Sequence, residues 1–502
     1  MSLLKKLFNR NQKNMLEKYR LANNWLKTNS VKGKGVKVTA QRSDEVYPEV
    51  TGYFIPSLLS WGERELAVQF ADWLVSIQNS DGSWNDPSGK CAYTFDTGQI
   101  LKGLLAFSEY CSEYDQSIKR GCEWILQQIQ SSGRVTTPDT NSWRLPNNKI
   151  VPEAIHLYAL QPLKDAGERW GIEDYTSAVD RALAYYLADE SLTEFSTLSH
   201  FHAYIIEALV DLGYSEWAKS AMDNVAKYQK KNGSVSAYYD VKWVCSTGLF
   251  QYALIWYKLG ELSRANRAFD YACSLQNSSG GFYGGYGKKA NYFPNEEISW
   301  AVKYFLDSFW WKIRTSFDTD LSVFPDTIDK NDGRYKLISQ AIDVVAPQKV
   351  LDIGCGKGRF IKNIKSDYPQ TETVGMDISD EMLKFLPSDT VGMKGSLLNI
   401  PCNDEFFDFA FCVEALEHAV NIPAAVREMG RVVARKGTLI IIDKNRDKLG
   451  ALKISDWEQW FKGEEITKLL QREGFEVSLV DDISYSNVGS DGLFIGWIAR
   501  KI

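Results

Sequence analysis

Two kinds of apolar pattern divide this chain. Across residues 45–310, apolar residues recur in helix-length blocks that carry an internal repeat. One mark of it is a helix ending in Gln ahead of a Gly-containing turn. It occurs as Gln78-Asn-Ser-Asp-Gly-Ser-Trp84, Gln130-Ser-Ser-Gly133, Gln229-Lys-Lys-Asn-Gly-Ser234 and Gln276-Asn-Ser-Ser-Gly-Gly-Phe282. The other mark is an apolar helix opened by a polar cluster, at Glu49-Val-Thr-Gly52, Asp96-Thr-Gly98, Glu153-Ala-Ile-His156, His200-Phe-His202, Cys245-Ser-Thr-Gly248 and Glu296-Glu-Ile-Ser299. The openings lie 45 to 57 residues apart, enough for two helices and their connections. Six such pairs predict a closed ring of helical hairpins.

From about residue 334 the pattern changes to short apolar strands alternating with amphipathic helices, which predicts a parallel α/β sheet. Between the two patterns, residues 311–333 concentrate turn and charged residues (Asp318, Pro325, Asp326, Asp329, Asn331, Gly333) and read as a linker. The densest signal is Lys349-Val-Leu-Asp-Ile-Gly-Cys-Gly-Lys-Gly-Arg-Phe360, a buried strand running into a turn with Gly354, Gly356 and Gly358. Such glycines let the backbone turn tightly and approach a ligand. A second strand, Thr373-Val-Gly-Met-Asp377, ends in a carboxylate 19 residues after Gly358. An acid there can accept hydrogen bonds from both ribose hydroxyls of a nucleoside. Asp352 starts the loop, however, and would repel a pyrophosphate while favouring an ammonium or sulfonium.

This arrangement resembles motif I of class I S-adenosylmethionine-dependent methyltransferases, of the type-11 kind. The resemblance continues through Gly395-Ser-Leu-Leu-Asn-Ile-Pro401, Phe406 to His418, Arg431 to Asp443, Glu464 to Phe475 and Phe494 to Arg500. It implies a Rossmann-like domain over 334–502 that binds S-adenosylmethionine. The residues it implies for the cofactor are Asp352, Gly354, Gly356, Gly358, Asp377, Ile378, Ser396, Leu397 and Glu414. Ser396 stands where that family usually carries an acid toward the adenine. Methyl transfer is an in-line displacement governed by positioning, and an alcohol acceptor also needs a base. His418 and Glu417 are the candidates, with Asp443 and Lys444 as second choices and Trp457, Trp460 and Phe461 as an apolar lid.

The repeat region looks like the α/α toroid of squalene cyclases, protein prenyltransferases and six-hairpin glycosidases; Gln78, Gly82 and Trp84 resemble the QW repeat of the first group. No Asp-x-Asp-Asp proton donor and no matching zinc set is present, so that chemistry does not carry over. The openings would converge on one mouth, bringing Glu49, Asp96, Glu153, His156, His200, His202 and Glu296 together with Tyr47, Tyr53, Tyr93, Tyr204, Trp243 and Trp300. Acids among stacking faces suit a sugar. His200, His202 and Asp96 are the catalytic candidates there, and Glu49, Glu153, His156, Tyr204, Trp243 and Glu296 the substrate-binding ones. The same acids also serve as helix N-caps, and buried histidines as core groups.

Composition bounds the rest. A chain of 502 residues is too long for one core. No apolar run reaches about 18 residues, and the start lacks a secretory signal. Eight cysteines without a Cys-x-x-Cys pair point to reduced thiols, a cytoplasmic address and no structural metal. Residues 1–44 form a basic leader: the first 40 hold ten Lys or Arg against Glu17, +9 in a chain of net −6. With Leu3, Leu4, Leu7 and Phe8 on one face, that leader could rest on an anionic membrane or dock on the acidic body. The acidic remainder argues against nucleic acid. The expected protein is a two-domain cytoplasmic methyltransferase acting on a hydroxyl of a sugar or a glycan intermediate in polysaccharide biosynthesis. The alternatives are a carbohydrate- or isoprenoid-active toroid fused to a methyltransferase, and a toroid that recruits a partner protein.

Overall fold

The computed structural model describes residues 14–502 except 43–44, 109–110, 140–143, 145–148, 320, 451–452 and 485–491. The leader's proposed apolar face (Leu3, Leu4, Leu7, Phe8) lies outside the described residues. The chain divides into two compact units, Met1–Leu58 with Arg64–Ile313 and Leu59–Glu63 with Arg314–Ile502.

The first unit is helical. Its openings start α1 (Pro48–Ser60), α2 (Thr94–Leu105), a 3-10 turn (Glu153–Ala159) running into α3 (Leu160–Trp170), α4 (Ser199–Asp211), α5 (Ser246–Lys258) and α6 (Ser299–Asp318). These helices are apolar nearly all round: every residue of α5 from Ser246 to Tyr257 is buried, as is α4 from Ser199 to Leu209. The intervening helices bury one stripe only, such as Tyr175, Ala178, Val179, Ala182, Leu183 and Tyr186 in Glu173–Leu187. Two layers follow, an inner set of helices and an outer one. The glycines of the Thr-Gly openings mark close contacts between inner helices. A Cβ on Gly52 would fall 2.5 Å from Ile100 Cα, one on Gly98 2.4 Å from Ala159 Cβ, and one on Gly248 2.3 Å from Ser199 Oγ. The last inner helix also adjoins the first, with the Tyr53 and Tyr304 rings 6.2 Å apart and Ser57 donating to Asp307.

The Gln repeat ties outer helices in sequence. Gln78 Nε2 donates to Gly82 O and Ser117 O, both at 2.9 Å; Gln229 does the same to Gly233 O and Arg264 O. The fourth such Gln, Gln276, donates to Gly280 O and to Lys18 O, each at 3.0 Å. Its outer partner is therefore the helix Met15–Thr28, which buries Met15, Tyr19, Ala22, Trp25 and Leu26. This corrects the reading of residues 1–44 as a leader. The described part from Met15 onward is an integral helix of the unit, pinned by Trp25 Nε1 to Glu297 Oε2 at 2.6 Å. Residues 311–318, expected as linker, are likewise the end of α6.

The second unit holds a seven-stranded sheet. Its strands are β1 (Lys349–Ile353), β2 (Glu372–Asp377), β3 (Val391–Lys394), β4 (Phe407–Val413), β5 (Val433–Lys444), β6 (Phe475–Ile483) and β7 (Phe494–Lys501). They lie in the order β3-β2-β1-β4-β5-β7-β6. All neighbours are parallel up to β5; β7 runs antiparallel between β5 and β6. Helices on both faces explain why β1 and β4 read as continuous apolar runs. The order reverses between β1 and β4, which leaves a crevice at their carboxyl ends. Strand β6 was not foreseen. It is an edge strand with Glu476, Asp481 and Asp482 exposed, the kind of charged edge that blocks pairing with another chain and hides the strand's periodicity.

Candidate functional site

At the end of β1 the chain turns through three glycines with φ of +75° (Gly354), +51° (Gly356) and +72° (Gly358). The loop is anchored because Gly354 and Cys355 N–H groups both donate to Met376 O, at 2.8 and 2.9 Å. The glycines differ in what surrounds them. A Cβ on Gly354 would meet Ala415 Cβ at 2.4 Å, and one on Gly358 would meet Leu386 at 2.6 Å. At Gly356 no protein atom lies within 4 Å of that position, so its open side faces unfilled space.

Two buried carboxylates belong to this loop, Asp352 in β1 and Asp377 at the end of β2. Asp352 is 2% exposed, and its Oδ2 has no hydrogen-bond partner. Burial holds its carboxyl well above the usual range, opposed by Arg359 and reinforced by Asp377. Asp377 Oδ2 accepts from Gly356 N at 2.8 Å and Oδ1 from Ser379 N at 2.9 Å. Its carboxyl is raised by burial against those hydrogen bonds. Half-buried Ile378 follows it. Leu397 Cδ1 stands 3.9 Å from the Gly354 Cβ position, while Ser396 Oγ accepts from Leu398 N at 3.2 Å and so is partly used within its own turn. Glu414, expected at the cofactor, is engaged otherwise: Arg334 and Arg359 both donate to its Oε2. It clamps those arginines beside the loop, and the sequence showed no sign of this because Arg334 lies 80 residues away.

At the ends of β4 and β5 a second cluster forms. Glu417 is 1% exposed; its Oε1 accepts from Lys444 Nζ at 2.7 Å and lies 3.3 Å from His418 Nε2. His418 Nδ1 is buried without a partner, and its ring meets Phe317 edge-on at 5.2 Å. Asp443 Oδ2 accepts from Glu417 N at 3.0 Å, and its carboxyl is pushed up by burial and then by Glu417. Trp460 and Phe461, expected as a lid, are buried instead, and Phe461 donates its N–H to Lys444 O at 3.1 Å at the carboxyl end of β5.

In the helical unit a cavity of about 330 Å³ gathers Glu49, His200 and Tyr204 with Tyr47, Tyr292 and Trp300. Asp96 is buried just beneath, its carboxyl pushed up to about 8 by burial and by Asp86; burial and Asp96 raise Glu49 in turn. Buried Lys303, which the sequence reading missed, pairs with Asp307 at 2.8 Å and lies over the Tyr304 ring at 3.9 Å. The other predicted mouth residues are elsewhere. His202 is a core histidine: Nε2 donates to Thr193 O at 3.0 Å and Nδ1 accepts from Tyr252 Oη at 2.8 Å, so both nitrogens are spent. His156 is buried in the 3-10 turn, and burial lowers it to about 4. Glu153 pairs with Arg134 at 2.7 Å on a separate cleft of about 600 Å³. Glu296 pairs with Arg42 at 2.9 Å, and Trp243 packs edge-on against Tyr238 at 5.9 Å.

Comparison with known proteins agrees with the sheet and loop. Residues 351–441 match the family model described as "Methyltransferase domain". Over 100 residues the chain is 37% identical to an uncharacterized protein of Methanocaldococcus jannaschii, covering 20% of this chain and 42% of that protein. It is 25% identical to the demethylmenaquinone methyltransferase of Thermotoga maritima, over 32% of this chain and 82% of that one. Among solved structures it is similar to a SAM-dependent methyltransferase of Thermotoga maritima (24% identity, TM-score 0.29, 34% of this chain and 91% of that chain). It is also similar to an alpha-amylase of Clostridium perfringens (16% identity, TM-score 0.48, 60% of this chain and 99% of that chain). The chain thus spans under half the length of the first of these relatives. With the glycine loop and the acid ending β2, the family match identifies residues 351–441 as a methyltransferase domain that uses S-adenosylmethionine.

Proposed function

We propose that the chain transfers a methyl group from S-adenosylmethionine to a hydroxyl oxygen, on a sugar or a glycan intermediate, in the cytoplasm. The observation that carries the cofactor half is the pair of unmet demands around the loop: an orphan buried acceptor, Asp352 Oδ2, in the strand that leads into it, and the open side of Gly356 within it. An ammonium group satisfies the first, and a ligand chain passing close to the backbone fills the second. Asp377 would hold the ribose with its remaining lone pairs, and Ile378 and Leu397 would flank the adenine with Ser396 at its edge. When bound, S-adenosylmethionine supplies a methyl group on a positively charged sulfur.

The protein's own part in the reaction is to orient the acceptor and take its proton. Glu417, held by Lys444, lies 3.3 Å from His418 Nε2, close enough for its carboxylate to favour the protonated ring. The His418 ring receives the hydroxyl proton as the oxygen attacks, and Glu417 stabilises the imidazolium that results. We further read the helical unit as an α/α toroid that holds the acceptor. The ring order of its inner helices supports that reading, and the cavity at Glu49 supports a sugar. Eight free cysteines support a reducing compartment.

The test uses methyl-labelled S-adenosylmethionine and three acceptor classes in parallel: oligosaccharides and sugar nucleotides, demethylmenaquinone, and a malonyl thioester. Label on a sugar hydroxyl, lost in His418→Ala while cofactor binding persists, supports the proposal. Label on demethylmenaquinone or the malonyl carboxylate alone overturns the acceptor.

A further inference from the structure

Residues Arg314–Asp318, the last turn of α6, belong to the second unit. Three side chains of this turn reach residues that follow β2 or β4. Arg314 Nη2 donates to Asp380 Oδ2 at 2.8 Å, the Phe317 ring meets His418, and Asp318 Oδ1 accepts from Ser379 Oγ at 2.5 Å. Ser379 is fully buried, and its polar groups are all engaged. Its N–H donates to Asp377 Oδ1 at 2.9 Å, its hydroxyl donates to Asp318, and Oγ accepts from Met382 N at 3.1 Å. One serine therefore links the carboxylate that ends β2 to a carboxylate from α6.

The neighbouring cations do not neutralise this pair. Arg314 and Lys394 both sit on Asp380, at 2.8 and 2.6 Å, and among the described residues no ion pair reaches Asp318 or Asp377. Burial raises the Asp377 carboxyl, and Asp318 adds to the rise. Two like charges on one serine are unfavourable in the empty protein. The arrangement is relieved when hydroxyl donors reach the carboxylates, and a ribose offers two. The hydrogen bond to Asp318 also fixes the Ser379 hydroxyl with its lone pair toward Met382 N. It thereby keeps the shape of the turn whose N–H holds Asp377.

We propose that Asp318 is a positioning residue for the cofactor: through Ser379 it holds the turn after β2 in the shape that presents Asp377 to the ribose. This rests on the cofactor reading above. Asp318 itself lies outside the matched residues 351–441, in a stretch that the sequence assigns to a linker.

The experiment is calorimetric titration of S-adenosylmethionine into the full-length chain, into Asp318→Ala and Asp318→Asn, and into Asp377→Ala with and without Asp318→Ala. Melting transitions are recorded on the same samples. Asp318→Ala removes the acceptor for the Ser379 hydroxyl and is expected to weaken binding about three- to tenfold. Asp318→Asn keeps an oxygen acceptor and should stay within about twofold of wild type. In the Asp377→Ala background the Asp318→Ala change should cost less than about twofold, because the group being positioned is gone. Asp318 is half-exposed; should its Ala variant nevertheless unfold, Ser379→Ala removes the other end of the same bond and should show the same loss. No binding by wild type removes the cofactor reading and this inference with it. Binding by wild type with Asp318→Ala unchanged, an equal loss in Asp318→Asn, or an equal loss in both backgrounds overturns this inference alone.

Discussion

Gly356 donates its backbone N–H to Asp377 Oδ2 at 2.8 Å, so the glycine loop after β1 and the acid ending β2 form one hydrogen-bonded unit. Asp377 is thereby oriented before any ligand arrives, and its remaining lone pairs point from a fixed carboxylate. Preorganisation of this kind lowers the ordering cost of binding.

The two neighbouring glycines should separate folding from binding. A Cβ on Gly354 collides with Ala415 at 2.4 Å, whereas one on Gly356 enters empty space. Gly354→Ala is expected to lower the melting temperature of the domain, with a cost of about 2 kcal/mol or more from clash and φ strain together. Gly356→Ala should cost only the strain of a left-handed alanine, about 1 kcal/mol, yet bind S-adenosylmethionine at least about tenfold more weakly. Thermal melting with and without cofactor distinguishes the two effects.

His202 should make the helical unit acid-sensitive. Burial lowers its pKa to about 4 from the usual 6.5, so the folded state binds fewer protons than the unfolded one between those values. Its contribution is complete above about pH 6.5 and is lost as the pH falls toward 4. His202→Gln has no such loss. Wild type should lead the variant at pH 7, and the gap should narrow by roughly 2 kcal/mol at pH 5. Urea unfolding at both values measures it; a constant gap would show that His202 is not buried in the neutral form.

Asp96 has the opposite sign. Its pKa is pushed up to about 8 from 3.8, so the folded state holds a proton that the unfolded state gives up. Stability is fully present below about pH 4 and lost as the pH rises through 8. Asp96→Asn should therefore exceed wild type in melting temperature at pH 8.5 and approach it near pH 5. Because Asp96 and Glu49 interact, the measured transition belongs to the pair. A variant gap that does not move with pH would contradict the buried, uncharged Asp96.

Legibility in the sequence followed physical range. Strand β1, its glycines and the acid ending β2 could be read because each is a local pattern with a local cause. The helical openings were read for their polar residues, yet their glycines proved to mark helix–helix contact, as at Gly98 against Ala159. The helix Met15–Thr28 was missed because its partner, Gln276, lies 258 residues away and its lysines resembled a leader. Of the predicted mouth, Glu49, His200 and Tyr204 met in one cavity. Glu153, His156, His202, Trp243 and Glu296 did not, since spacing places a residue at a helix start but not the direction of its side chain. Glu414 was assigned to the cofactor on position alone, and its two arginine partners come from other elements.

The most direct measurement is calorimetric titration of S-adenosylmethionine into the full-length chain and into Asp352→Asn and Asp377→Ala. Asp352 offers an unpartnered buried oxygen to the ammonium group, and Asp377 offers a preset carboxylate to the ribose. The account predicts binding by wild type and a loss of about 2–4 kcal/mol in Asp377→Ala, with a loss of similar order in Asp352→Asn, each variant keeping its melting transition. Wild-type affinity in both folded variants would contradict it and place the cofactor away from the β1 loop.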